Sequence, residues 1–123
     1  MLLHIAPHIL IAEVQAEFNT AFPFLKLEFF RNKKGRGESV AIPSSLAISE
    51  CYAAVEEKEV EIDENMQVSA LETIFKEHLG LNVQVFRRSG NLWLQTTITD
   101  HWTLQKQNEH GREISETHTS DPA

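Results

Sequence analysis

The sequence predicts an α+β domain with two helices packed on one face of a mostly antiparallel sheet of four or five strands, close to a ferredoxin-like sandwich, with a β-grasp as the alternative. Three observations predict it. Two segments repeat apolar residues at helical spacing, and four short segments alternate apolar with polar residues. The chain of 123 residues, 41% of them apolar, is long enough to bury one core without disulfide or metal staples and too short for a second.

The elements follow in chain order. Leu2 to Ile5 can open the chain as a strand, and Pro7 suits the first position of a helix, where its missing N–H costs nothing. Leu10, Ile11, Val14, Phe18, Ala21 and Phe22 then predict a helix over residues 8 to 21, stopped by Pro23. From Phe24 to Arg31, Leu25, Leu27 and Phe29 share one face of a strand, and Lys26, Glu28 and Phe30 the other. Residues 32 to 39 have loop composition, and Ser45 can cap a short helix over about 46 to 54. Lys58 to Asp63 alternates strictly, so a strand is expected with Val60 and Ile62 inward. Val68, Leu71, Ile74, Phe75 and Leu79 predict a second helix that starts between 65 and 69, with Ser69 and Glu72 at capping-box spacing and Gly80 as its left-handed end.

Leu81 to Arg87 and Leu92 to Thr99 read as a hairpin around Ser89-Gly90, which sets Phe86 opposite Trp93, Val85 opposite Leu94 and Val83 opposite Thr96. Thr103 to His110 has the makings of one or two helical turns, and residues 112 to 123, apolar only at Ile114 and Ala123, read as a mobile tail after a domain at 1 to 111. Two stretches look alike. Val14, Phe18 and Phe22 precede Leu-Lys-Leu-Glu-Phe-Phe-Arg, and Leu71, Phe75 and Leu79 precede Asn-Val-Gln-Val-Phe-Arg-Arg, which fits either a duplication or a shared helix–strand grammar.

Charge and cysteine content exclude several function classes. Eleven Lys and Arg against 18 Asp and Glu give a net charge of −7, which opposes non-specific binding to nucleic acid or anionic membrane. Cys51 has no partner for an internal disulfide, Met-Leu-Leu-His-Ile lacks the basic start of a secretory signal, and the run Ile9 to Ala16 is broken by Glu13. A cytoplasmic protein without a membrane segment is expected.

Candidates for chemistry are few. Cys51 lacks the context of an activated thiolate, and His4 and His8 have Pro7 between them. Asp100 and His101 are adjacent on a strand end and would point apart; Gly35-Arg36-Gly37 lacks the third glycine and following helix of a phosphate cradle. No catalytic residue, metal site or cofactor is therefore predicted. The more informative feature is the sheet face turned away from the helices. Pleating puts Phe30, Phe86 and Trp93 there, among Lys26, Glu28, Gln84, Gln95 and Thr97, if Leu25, Leu27, Phe29, Val60, Ile62, Val83, Val85, Leu94 and Ile98 face the helices. Three exposed aromatics call for a cover: the C-terminal Trp102–Leu104 segment, a second copy of the chain, or a ligand.

Basic residues cluster at Arg31, Lys33, Lys34, Arg36, Arg87 and Arg88, and such turns beside sheet aromatics suit the stacking of single-stranded bases. Against this, Glu56, Glu57, Glu59, Glu61, Asp63 and Glu64 are expected as an acidic strip on or beside the same sheet, where phosphate is repelled. The run from Glu61 to Glu116, above all Phe75-Lys-Glu-His-Leu-Gly-Leu-Asn-Val-Gln-Val-Phe-Arg-Arg-Ser-Gly-Asn-Leu-Trp-Leu-Gln-Thr-Thr-Ile-Thr-Asp-His-Trp-Thr-Leu, resembles a small family of uncharacterised bacterial proteins of Bacteroidetes type. That resemblance implies a bacterial, cytoplasmic protein and no particular activity. The expected function is a non-enzymatic protein-interaction domain, as a homodimer or with another protein, that uses Phe30, Phe86 and Trp93. Binding of single-stranded nucleic acid by the same face and the basic residues is the alternative, and a small enzyme built on Asp100, His101 or Cys51 is the third reading.

Overall fold

The computed structural model describes residues 1–32 and 39–119. The described residues form an α+β fold with ten elements: β1 (Leu2–Ile5), α1 (Ile11–Ala21), β2 (Leu25–Asn32), β3 (Ser39–Ala41), α2 (Ile48–Cys51), β4 (Lys58–Glu61), α3 (Val68–Leu79), β5 (Asn82–Ser89), β6 (Leu92–Gln95) and α4 (Leu104–Thr119). Each half thus runs strand, helix, strand, strand, helix. The single sheet of a ferredoxin-like sandwich does not form. β1 pairs with β4 in one antiparallel sheet, and a second has the order β3-β2-β5-β6. Alternation specifies which face of a strand is buried and leaves its partner open, so the split is invisible in the pattern.

The two halves pair with each other in both sheets, β1 with β4 and β2 with β5. When the helices are superposed at their first residues, Ile11 and Val68, Leu3 corresponds to Val60 and Phe18 to Phe75. Leu3 pairs with Val60 in the small sheet. In the larger sheet Leu25, Leu27 and Phe29 lie opposite Arg87, Val85 and Val83, with Glu28 and Gln84 at the centre. The core gathers Leu3, Ile5 and Ile62 from the small sheet, Ile11, Val14, Phe18, Val68, Leu71 and Phe75 from the helices, and Leu25, Leu27, Phe29, Val83 and Val85 from the large one.

Helix starts share a device that is made by backbone groups, beside which Glu13 accepts the Leu10 N–H at 3.3 Å in α1 and Thr103 Oγ1 the Lys106 N–H at 3.1 Å in α4. In α1 to α3 the side chains of the N-cap residues Leu10, Ala47 and Gln67 make no cap hydrogen bond. Instead, the turns before the helices dock in antiparallel pairs, Leu10 with Ala47 and Gln67 with Thr103. Ile11 N–H donates to the Leu46 carbonyl and Ile48 N–H to that of Ile9, each at 2.9 Å, and Val68 and Leu104 exchange the same bonds with Trp102 and Met66 at 3.0 and 2.9 Å. The orphan donors of a helix terminus are thereby satisfied by the backbone of a distant turn. This corrects the expected starts. Pro7 lies in the turn, where its carbonyl accepts Ser49 N–H at 2.9 Å, and Ser69 lies inside α3 with its N–H on the Asp100 carbonyl at 2.9 Å. Gly80 does end α3 in the left-handed region, at φ 69°.

The largest departure is α4. The one or two turns expected at Thr103 to His110 lengthen into a helix that runs on to Thr119. Its buried stripe is Leu104, Gln107, Gly111 and Ser115, with Asn108 half-buried beside them, so it carries almost no apolar signal. Asn108 Oδ1 accepts the Phe24 N–H at 2.8 Å, and Ser115 Oγ accepts the Gly90 N–H at 3.2 Å. At Gly111 an added Cβ would sit 3.0 Å from Arg87 Cγ, 3.1 Å from Phe24 Cβ and 3.2 Å from the Arg88 carbonyl, so helix and sheet approach closely here and a side chain would press its neighbours apart by a few tenths of an ångström.

Short α2 is tied down by Tyr52, whose hydroxyl donates to the Phe30 carbonyl at 2.7 Å, with the Asn82 carbonyl 3.4 Å away. Burial, helped by nearby Cys51, pushes the Tyr52 phenol up to about 12 from its ordinary 10.0. Its contribution to stability is therefore whole below pH 10 and is lost as pH rises through about 12. The chain has one tyrosine, so an ultraviolet titration reads this group alone. The phenolate band is expected only well above pH 10, and an onset at the ordinary value would mean that the hydroxyl is not held.

Candidate functional site

The outer face of the large sheet forms as the alternation predicts. Lys26, Glu28 and Phe30 of β2, Gln84, Phe86 and Arg88 of β5, and Trp93 and Gln95 of β6 share it by register. None of these residues is buried, whereas Leu25, Leu27, Phe29, Val83 and Val85 on the other side all are. The Phe30 and Phe86 rings stack with centroids 6.4 Å apart and planes at 19°. Two cations approach the Trp93 ring, Lys26 Nζ at 5.8 Å and the Arg88 guanidinium at 6.0 Å from its centroid. Lys26 also pairs with Glu28 at 2.7 Å.

The hairpin that carries Trp93 has a different register from the one expected. Gly90 and Asn91 form the turn, with Gly90 at φ 62°, so Arg88 lies opposite Trp93 and Phe86 opposite Gln95. A shift of two residues keeps every side chain on its face, which is why the aromatic surface survives it. β6 ends at Gln95, so Ile98, expected to face the helices, is 92% exposed in the following turn.

Trp102, expected as one possible cover for this face, lies on the other side. It packs edge-on to His110 at 5.4 Å and takes Lys106 Nζ at 4.3 Å and the Arg87 guanidinium at 5.9 Å. The proposed anion-binding cluster is likewise divided by the pleat. Arg88 is on the outer face, Arg31 and Arg87 point to the opposite side, and Lys33, Lys34 and Arg36 lie outside the described residues. Arg87 donates to Gln107 Oε1 at 2.9 Å, and burial lowers its pKa. The acidic strip belongs to the β1–β4 sheet and the loops around it, not to the sheet that carries the aromatics.

A polar cleft of about 440 Å³ opens where α3 crosses the β5 edge, lined by Ser69, Glu72, Thr73, Lys76, Asn82, Gln84 and Asp100 among others. The Glu72 carboxylate accepts Val85 N–H at 3.2 Å, beyond the end of β6, and its pKa is raised by burial and by Asp100. Gln15, the corresponding residue of α1, donates to the Leu27 carbonyl at 2.8 Å, so both helices cap an unpaired sheet edge from the same position. Of the enzyme candidates only Asp100 lines this cleft. His101 is exposed, and the Cys51 thiol faces the Ala47 carbonyl within α2, at 3.6 Å, its pKa raised mainly by burial. His4 sits on β1 with Glu57 at 3.6 Å, and no group of three or more His, Cys, Asp or Glu side chains that could hold a metal occurs among the described residues. None of the described helices is long and apolar enough to cross a membrane.

Fold and surface together define an α+β protein with two antiparallel sheets, the larger of which carries half-buried aromatics on its outer face. No family model, curated protein or solved structure matches the chain.

Proposed function

We propose that the protein is a non-enzymatic, cytoplasmic interaction domain whose contact surface is the outer face of the large sheet, centred on Phe30, Phe86 and Trp93, and whose partner is another protein. The observation that carries this reading is the contrast between the two faces: Leu25, Leu27, Phe29, Val83 and Val85 on one are buried in the core, and the other presents a stacked phenylalanine pair and a cation-flanked tryptophan without a buried residue. Aromatic anchors beside arginine are what protein interfaces concentrate at their centres. A partner that offers a carboxylate toward Arg88 would extend a charge pattern in which Lys26 is already paired with Glu28. The double replacement Phe86→Ala, Trp93→Ala should abolish partner capture by the immobilised protein and leave the cooperative unfolding transition in place. An unfolded double variant would make these residues ordinary core, and undiminished capture would move the contact elsewhere.

Single-stranded nucleic acid is the second reading, favoured by one observation. The two cations over Trp93 stand on a sheet other than the one that carries the acidic strip, with Glu28 the carboxylate paired to Lys26 on their own face. In a Trp102→Phe background, oligonucleotides should then quench Trp93 fluorescence, and the quench should weaken with salt. No quench at low salt dismisses it.

A further inference from the structure

We propose that two copies of the chain pair edge to edge along β6, antiparallel and in register about Leu94, so that their large sheets join into one. The inference goes beyond binding through the outer face and does not require it. β6 ends the sheet order, and its inward backbone groups are spent on β5, where Leu94 pairs with Arg87 and Leu92 with Ser89. In an antiparallel ladder the residues between them, Trp93 and Gln95, therefore aim their N–H and C=O groups outward. A twofold axis at Leu94 sets Trp93 of each copy opposite Gln95 of the other, and each such pair exchanges both bonds. Leu94 meets its own copy in the intervening non-hydrogen-bonded position.

Charge and exposure favour a second copy as the occupant. Edge strands are ordinarily guarded by charged residues, yet no charge occurs from Asn91 to Thr99. In a chain of net charge −7 this neutral edge sets no like charges of its own strand against each other when two copies approach. The edge is also apolar: Leu92 is 65% and Leu94 43% exposed. At the opposite edge, by contrast, Ser39 of β3 already has an interaction partner. The paired sheets would present two aromatic faces side by side.

Light scattering on a sizing column, over a range of protein concentrations, should show the mass rising from one copy toward two. Gln95→Pro removes an outward N–H and, with the side chain, the bond from Gln95 Nε2 to Gln84 Oε1, but spares the backbone ladder to β5, and it should weaken dimerisation at least about tenfold relative to Gln95→Ala, which loses the side-chain bond alone. In a Cys51→Ala background, Leu94→Cys should cross-link on mild oxidation, because non-hydrogen-bonded partners approach within disulfide range, while Phe86→Cys on the outer face should not. The cross-link decides the matter should the proline variant fail to fold. A monomer at every concentration overturns the proposal, as does a dimer that withstands Gln95→Pro or that cross-links equally through residue 86. A monomer says nothing against the outer face, which the Phe86 and Trp93 double variant tests separately.

Discussion

Phe75→Ala should destabilise the protein by about 3–5 kcal/mol, the cost of emptying a large buried aromatic site that cannot collapse. Phe75 is fully buried, and its ring stands edge-on to Phe29 at 6.3 Å and 77°. It is the point at which α3 grips the large sheet, so truncation removes apolar burial, the ring–ring contact and the support under β5 together. A domain of this size has a total stability of roughly 5–15 kcal/mol, so this one change takes a large share of it. Urea unfolding should show a lower midpoint with little change in slope. Phe18, the corresponding residue of the other half and also fully buried, should behave alike. A loss under about 1 kcal/mol would mean that α3 is not packed on the sheet as described.

Gln107→Leu is expected to cost about 3 kcal/mol although it exchanges a polar side chain for an apolar one of similar size in a fully buried position. The amide serves three partners. Nε2 donates to the Thr99 carbonyl at 2.8 Å and to its hydroxyl at 2.7 Å, and Oε1 accepts from Arg87 Nη1 at 2.9 Å. The Arg87 Nε is buried without a hydrogen-bond partner, so loss of Gln107 further strips a desolvated cation. Adding Arg87→Met to Gln107→Leu should recover part of the lost stability, because two apolar partners leave no unsatisfied charge. Chemical unfolding of the single and double variants measures this coupling, and strictly additive costs would show that the two side chains do not act together.

Which features were legible depended on how local their cause was. The α1 and α3 stripes, the alternation of β2 and β5 and the glycine end at Gly80 are written into adjacent residues. The outer face followed from alternation alone, and it withstood a two-residue error in the hairpin because faces repeat every second residue. The length of α4 beyond one or two turns is not legible because its docked stripe contains Gln107, Asn108, Gly111 and Ser115, which are held by hydrogen bonds and close approach rather than by apolar area. Arg87 and Arg88 of the basic cluster are neighbours in sequence, whereas the pleat sends them to opposite sides.

The residue pattern alone determined the secondary-structure class, the single core and the aromatic surface, because side-chain periodicity and burial are properties of short segments. Long-range pairing decided the rest. The separation of β1–β4 from the large sheet, the backbone handshake that starts the helices and the docking of α4 under Arg87 each depend on residues distant in the chain. Their hydrogen-bonding groups are common to every peptide unit and leave no signature in side-chain identity, so they select partners only when the whole chain is packed.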